Sequence, residues 1–164
     1  MFKRIENNID FAENEDKISN YWNEIDAFQK SLDIRKESKI FRFYDGPPFP
    51  TGSPHYGNLL AGVIKDIVPR YWTMRGYFVE RRFGWDVHGL PIEMEVQKEL
   101  GLEDPQDIDD YGIDKFNEAC RSQVQTNTEN WEKITRKIGR WVDFENDYKT
   151  MDVGFMESVW WVFK

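Results

Sequence analysis

Ile40-Phe41-Arg42-Phe43-Tyr44, then Asp45-Gly46-Pro47-Pro48-Phe49-Pro50-Thr51-Gly52, then Ser53-Pro54-His55-Tyr56-Gly57-Asn58 form the stretch that decides the fold. The apolar run at 40–44 reads as a buried strand. Three prolines and two glycines over 45–52 exclude regular structure and force a shaped loop. Beyond it, Leu59, Leu60, Val63, Ile64, Ile67, Val68, Tyr71 and Trp72 recur at helical spacing, with Lys65, Asp66 and Arg70 off that stripe. Pro69 falls inside the pattern and is expected to kink it or end its regular part. Strand, glycine-bearing turn and helix in this order set backbone N–H groups and His55 at a helix N-terminus, where a phosphate is favoured. The order points to a nucleotide site.

The chain has 2 histidines, and the other one sits in a second bracketed signature, Gly84-Trp85-Asp86-Val87-His88-Gly89-Leu90-Pro91. Tyr77 to Phe83 reads as a strand ending at Gly84, and Leu90 to Leu100 as a helix with Pro91 in its first turn. Alternating strands and helices predict a parallel α/β sheet with right-handed crossovers and ligands at the carboxyl ends of its strands. Both histidine motifs follow a strand, so both are expected at that edge. Upstream, Ile18, Trp22, Ile25, Phe28 and Leu32 predict a helix over 15–32. Downstream, Phe116, Cys120, Val124, Trp131, Ile134 and Ile138 predict a helix over 113–138, with a break at 141–144 and a last helix from 153. That helix ends on Val159-Trp160-Trp161-Val162-Phe163 without a stop signal, the pattern expected of a cut chain.

Composition narrows the function classes. Against 22 Lys and Arg stand 30 Asp and Glu, a net charge of −8 over 164 residues. That balance argues against general coating of nucleic acid, which relies on clustered cations. The single Cys120 excludes an intrachain disulfide and a multi-thiolate zinc site, and suits a reducing cytoplasm. Met1 to Asn8 lacks the apolar core of a signal peptide, and no apolar run approaches the ~20 residues that span a bilayer. The expectation is a soluble, cytoplasmic protein with no membrane partner.

Residues 43–95 resemble the class I aminoacyl-tRNA synthetases, and within that class the isoleucyl branch. Pro54-His55-Tyr56-Gly57-Asn58 is similar to the class's HIGH motif, and Phe43 to Phe49 to the strand and loop before it. Gly84 to Glu93 is similar to the segment that marks the isoleucyl branch. The resemblance is weaker over 1–42 and 96–164. It implies a Rossmann-like parallel sheet with flanking helices, with 1–40 as a helical extension packed on it. Residues 41–164 would be the first half of the catalytic domain, ahead of an editing insertion. No lysine loop of the KMSKS kind is present, so these residues alone would be weakly active or inactive.

The implied chemistry is attack of the isoleucine carboxylate on the α-phosphorus of ATP, followed by transfer of the aminoacyl group to tRNA. Mg²⁺ would travel with the ATP phosphates, with no protein metal cage, and tRNA would be held mainly by other regions. Such transfer needs positioning and charge stabilisation more than a protein nucleophile. His55 and Asn58 are the expected catalytic residues, with Pro54, His55, Gly57 and Asn58 binding ATP. Asn58 stands where the motif has a second histidine; it can donate a hydrogen bond without carrying a proton, and it could instead simply cap the helix. A side chain at Gly57 would keep ATP off the helix start. Gly46, Pro47 and Pro48 are expected to wall the amino-acid pocket, the alternative being a rigid loop without ligand contact. Asp86 would pair with the substrate ammonium or serve as an N-cap. Trp85 would line the pocket or sit in the core, and His88 would support the site from behind. A truncated paralogue that binds a nucleotide or a partner without catalysis is the alternative from another class.

Overall fold

The computed structural model describes residues 9–164, so the reading of Met1 to Asn8 for a targeting signal lies outside the described residues. Its elements are α1 (Phe11–Glu24), α2 (Ala27–Asp33), α3 (Tyr56–Met74), β1 (Arg82–Trp85), α4 (Leu90–Leu100), α5 (Pro105–Tyr111), α6 (Ile113–Lys137), β2 (Asp143–Lys149) and α7 (Val153–Phe163).

The architecture is the expected one, α/β with a small parallel sheet flanked by helices. β1 pairs with β2 in parallel, Gly84 opposite Tyr148 and Trp85 opposite Lys149, with a register irregularity between Arg82 and Gly84. One further parallel bridge joins Ile40 to Phe78. The core lies against this sheet: Phe83, Trp85 and Val87 from the β1 segment meet Val124 and Trp131 of α6, Ile92 of α4, and Val142 and Phe144 of the β2 segment. Phe83 and Phe144 stack with ring centroids 4.6 Å apart. Side chains of this size, removed from water, each contribute about 1.5–3 kcal/mol.

Local chemistry explains most element ends. Asp10 caps α1 by accepting from Glu13 N at 3.0 Å. Gly101 takes a left-handed φ of 69° to close α4. Asp104 and Asp107 bracket the start of α5 around Pro105, an unpredicted helix whose signal was a capping pair beside a proline.

Five expectations are corrected. The strand at 40–44 reduces to the bridge at Ile40, because Phe41 N donates to Phe78 O at 2.9 Å and the chain then departs as the loop. The second strand starts at Arg82 rather than Tyr77, since its ladder partner is β2 and not 40–44. The helix over 15–32 is two helices, broken where Asp26 takes φ 51° and ψ 51°. Pro69 does not end α3, which runs on to Met74. The segment at 141–144, read as a break, instead leads into β2.

Candidate active site

The loop between the Ile40 bridge and α3 is held from below by one carboxylate. Asp45, its side chain 2% exposed, pairs through Oδ1 with Lys65 Nζ at 2.8 Å and through Oδ2 with Arg140. Lys65 Nζ also donates to Gly46 O at 2.6 Å. Tyr148 Oη donates to Asp45 O at 3.2 Å. A buried charge with two cationic partners and a tethered carbonyl leaves the loop little freedom. The far end of the loop is tied to α6, where Trp131 Nε1 donates to Gly52 O at 2.9 Å and Asn130 Nδ2 to Ser53 Oγ at 3.1 Å.

At the start of α3, His55 is the N-cap. Its Nδ1 accepts from Gly57 N at 3.1 Å, and Asn58 Oδ1 accepts from His55 N at 3.0 Å. An imidazole whose Nδ1 accepts carries its hydrogen on Nε2, which is therefore a donor. Asn58 is thus a cap through its oxygen, and the nitrogen side of the same amide remains to donate outward. His55 and Gly57 are exposed. A Cβ at Gly57 would come within 3.0 Å of the His55 ring, so a side chain there would displace the capping imidazole.

Beside this helix start lies a cavity of ≈ 170 Å³. Gly46, Pro47, Pro48, Pro54 and Asn58 line it together with Lys65, Phe83, Trp131 and Arg140. The structure therefore brings Gly46, Pro47, Pro48, Pro54 and Asn58 to one hollow, while His55 and Gly57 stand outside its lining. Asp86 lies next to them, its backbone N donating to Pro48 O at 2.9 Å. The Thr150 hydroxyl stands 3.4 Å from Asp86 Oδ1 and 2.7 Å from His88 Nδ1, and accepts from Val87 N at 2.9 Å. Trp85 is 1% exposed, packed in the core, with its indole N–H on Asp147 Oδ2 at 2.6 Å. Burial raises the Tyr148 phenol above its ordinary value, with the charges of Asp45 and Asp86 adding to the shift. Among the described residues no three His, Cys, Asp or Glu side chains converge on a metal position. No helix among them is long and apolar enough to cross a membrane.

Sequence reasoning did not single out Asp45, Lys65, Arg140, Tyr148 or Thr150. Lys65 carried a signal, as a cation off an apolar stripe one side of which had to face the loop. Arg140 and Thr150 carried none, because their partners are 95 and 63 residues away.

A family model for tRNA synthetases class I (I, L, M and V) matches residues 17–164. The isoleucine–tRNA ligase of Treponema denticola is 54% identical over 100% of this chain and 15% of its own length. The cytoplasmic isoleucine–tRNA ligase of Saccharomyces cerevisiae is 54% identical over 94% of this chain and 14% of its own length. That of Tetrahymena thermophila is 55% identical over 99% of this chain. The chain thus spans about 15% of the length of the curated relatives it matches. Among solved structures, a LeuRS from Agrobacterium radiobacter, in a ternary complex with tRNA and LeuAMS, covers 91% of this chain at a TM-score of 0.63 and 19% identity. The match covers 16% of that chain and bears on the fold. Nothing in these likenesses supports a non-catalytic module.

Proposed function

Because this chain belongs to the class I tRNA synthetases of the I, L, M and V group, we propose that it is part of an isoleucine–tRNA ligase that activates isoleucine with ATP. Residues 1–40 are its N-terminal extension, helical over Phe11–Glu24 and Ala27–Asp33, and 41–164 the first half of the catalytic domain, before an editing insertion. The observation that carries this reading is the His55–Asn58 cap of α3 opening beside the cavity walled by Gly46, Pro47 and Pro48.

The ATP phosphates lie over the exposed start of α3, where the positive end of the helix dipole favours an anion. His55 donates from Nε2 and Asn58 from Nδ2 to phosphate oxygens, and Pro54 and Gly57 keep the approach close. These donors offset the charge that builds as the isoleucine carboxylate attacks the α-phosphorus and pyrophosphate leaves. Mg²⁺ accompanies the phosphates. Gly46, Pro47 and Pro48 form a rigid wall of the amino-acid pocket, fixed by the Asp45 clamp. Asp86 pairs with the substrate ammonium, and His88 supports it from behind. Trp85 shapes the pocket from within the core. A single methylene in an apolar pocket discriminates by only about 1–3 kcal/mol, which is why a separate editing region accompanies such a site. tRNA is held mainly by other regions, and the complete ligase works in the cytoplasm, as the name of the yeast relative does for that protein.

Asp86→Asn in the full-length ligase tests the reading. Loss of a desolvated charge pair costs about 2–5 kcal/mol, so isoleucine activation should fall at least thirtyfold, as a rough figure, while ATP binding changes little. Pyrophosphate exchange at varied isoleucine measures it. An unchanged KM and turnover would reduce Asp86 to a structural carboxylate.

A further inference from the structure

We propose that Thr150 is a positioning residue for isoleucine recognition, its single hydroxyl fixing the Asp86 carboxylate toward the substrate ammonium. The proposal rests on the reading of Asp86 as the ammonium partner.

Thr150 follows β2 directly, is 6% exposed, and clasps the peptide around Asp86 from both flanks. Its backbone N donates to Trp85 O at 3.0 Å, and its Oγ1 accepts from Val87 N at 2.9 Å. Between these two bonds Asp86 itself is tied to the amino-acid loop through Pro48 O at 2.9 Å. The backbone of Asp86 is therefore held on three sides.

Proton counting then gives a consistent arrangement of the side chains. A hydroxyl has one hydrogen to give and two lone pairs to offer, and a backbone N–H can only donate. Val87 N takes one lone pair. The remaining neighbours of Oγ1 are His88 Nδ1 at 2.7 Å and Asp86 Oδ1 at 3.4 Å. An ionised carboxylate can only accept, and giving it the hydroxyl hydrogen requires the His88 tautomer that donates from Nδ1–H to Oγ1. Every donor and acceptor at this centre is used once. The exposed His88 thereby orients the hydroxyl, the hydroxyl orients the carboxylate, and Asp86 Oδ2 is left for the ammonium.

Pyrophosphate exchange by the full-length ligase carrying Thr150→Val, Thr150→Ala or Thr150→Ser tests this. Loss of a hydrogen bond to a charged group should raise the isoleucine KM about 10- to 100-fold in the two hydroxyl-free variants. The KM for ATP should stay within about twofold, and Thr150→Ser should return the isoleucine KM to within about threefold of the parent. Inhibition by 3-methylpentanoate, the isoleucine skeleton without its amino group, should be the same in all of them. A structural role alone would move ATP and the desamino inhibitor as well. The proposal is overturned if the isoleucine KM of Thr150→Val stays within about threefold, if serine does not rescue, or if the inhibitor weakens in parallel. It is equally overturned if the two hydroxyl-free variants fail to fold while the serine variant folds. Asp86→Asn separates the two layers. An unchanged isoleucine KM there defeats the ammonium reading itself, whereas a raised one beside a normal Thr150→Val defeats only the role of Thr150.

Discussion

Helices α6 and α3 carry the same kind of apolar periodicity, yet α6 turns Phe116, Val124 and Trp131 into the core while α3 leaves Leu60, Ile64, Ile67 and Tyr71 between 48% and 59% exposed. Apart from Leu59 at the cavity and Trp72, which packs on Phe41 and Tyr77, the residues of α3 that face the rest of the chain are small or polar. Gly62, Pro69 and Thr73 are buried, Lys65 reaches Asp45, and Asp66 accepts from Trp141 N at 3.2 Å while also pairing with Arg70. The contrast teaches that a periodic pattern specifies a face and not its partner. In α3 the inward face is the one that carries the site's clamps, and the apolar stripe points away from it.

Substitutions on the two helices can break this comparison. Trp131→Ala removes a 5% exposed indole and its bond to Gly52 O, and should cost about 3–5 kcal/mol in urea unfolding of the chain. A cost near that of a surface change would mean α6 does not organise the core. Gly84→Ala comes next, at about 1–3 kcal/mol, because the new methyl would run into the Tyr148 ring that lies over this point of the sheet. That ring stacks on Phe155 and donates to Asp45 O, so it has little room to retreat. Full retention of stability would show the ring to be loosely held. The smallest effect is expected on α3, where Ile67→Ala should shift unfolding by no more than about 0.5 kcal/mol. A loss comparable to that of Trp131→Ala would show the stripe to be packed after all, and the contrast would collapse.

What the sequence revealed, and what it hid, divides along the range of the interactions. The start of α3, the Pro91 entry to α4 and the whole of α6 were readable because caps, prolines and helical periodicity act within a few residues. The parallel α/β class was readable from element order. β2 was not, since Asp143, Glu145 and Asp147 give it a polar composition and its stability comes from β1, far back in the chain. The turn at Asp26 was hidden because a left-handed aspartate leaves no pattern among its neighbours. At the candidate site the histidine and proline motifs stood out as sequence. The clamps that hold them did not, because Arg140 and Thr150 acquire their partners only through the fold. α5 is the exception, a local signal in Asp104, Pro105 and Asp107 that could have been used.

The Asp45 clamp has a consequence for how the molecule is made. Arg140 follows Asp45 by 95 residues in the chain. At roughly 5–20 residues per second on a ribosome, the loop emerges some 5–20 s before the cation that secures it. During that interval the buried acid of the finished protein is an ordinary solvated carboxylate, and Lys65 is the one clamp partner already synthesised. The hollow beside the start of α3 is therefore among the last features to set, only once α6 has been delivered to close against Gly52.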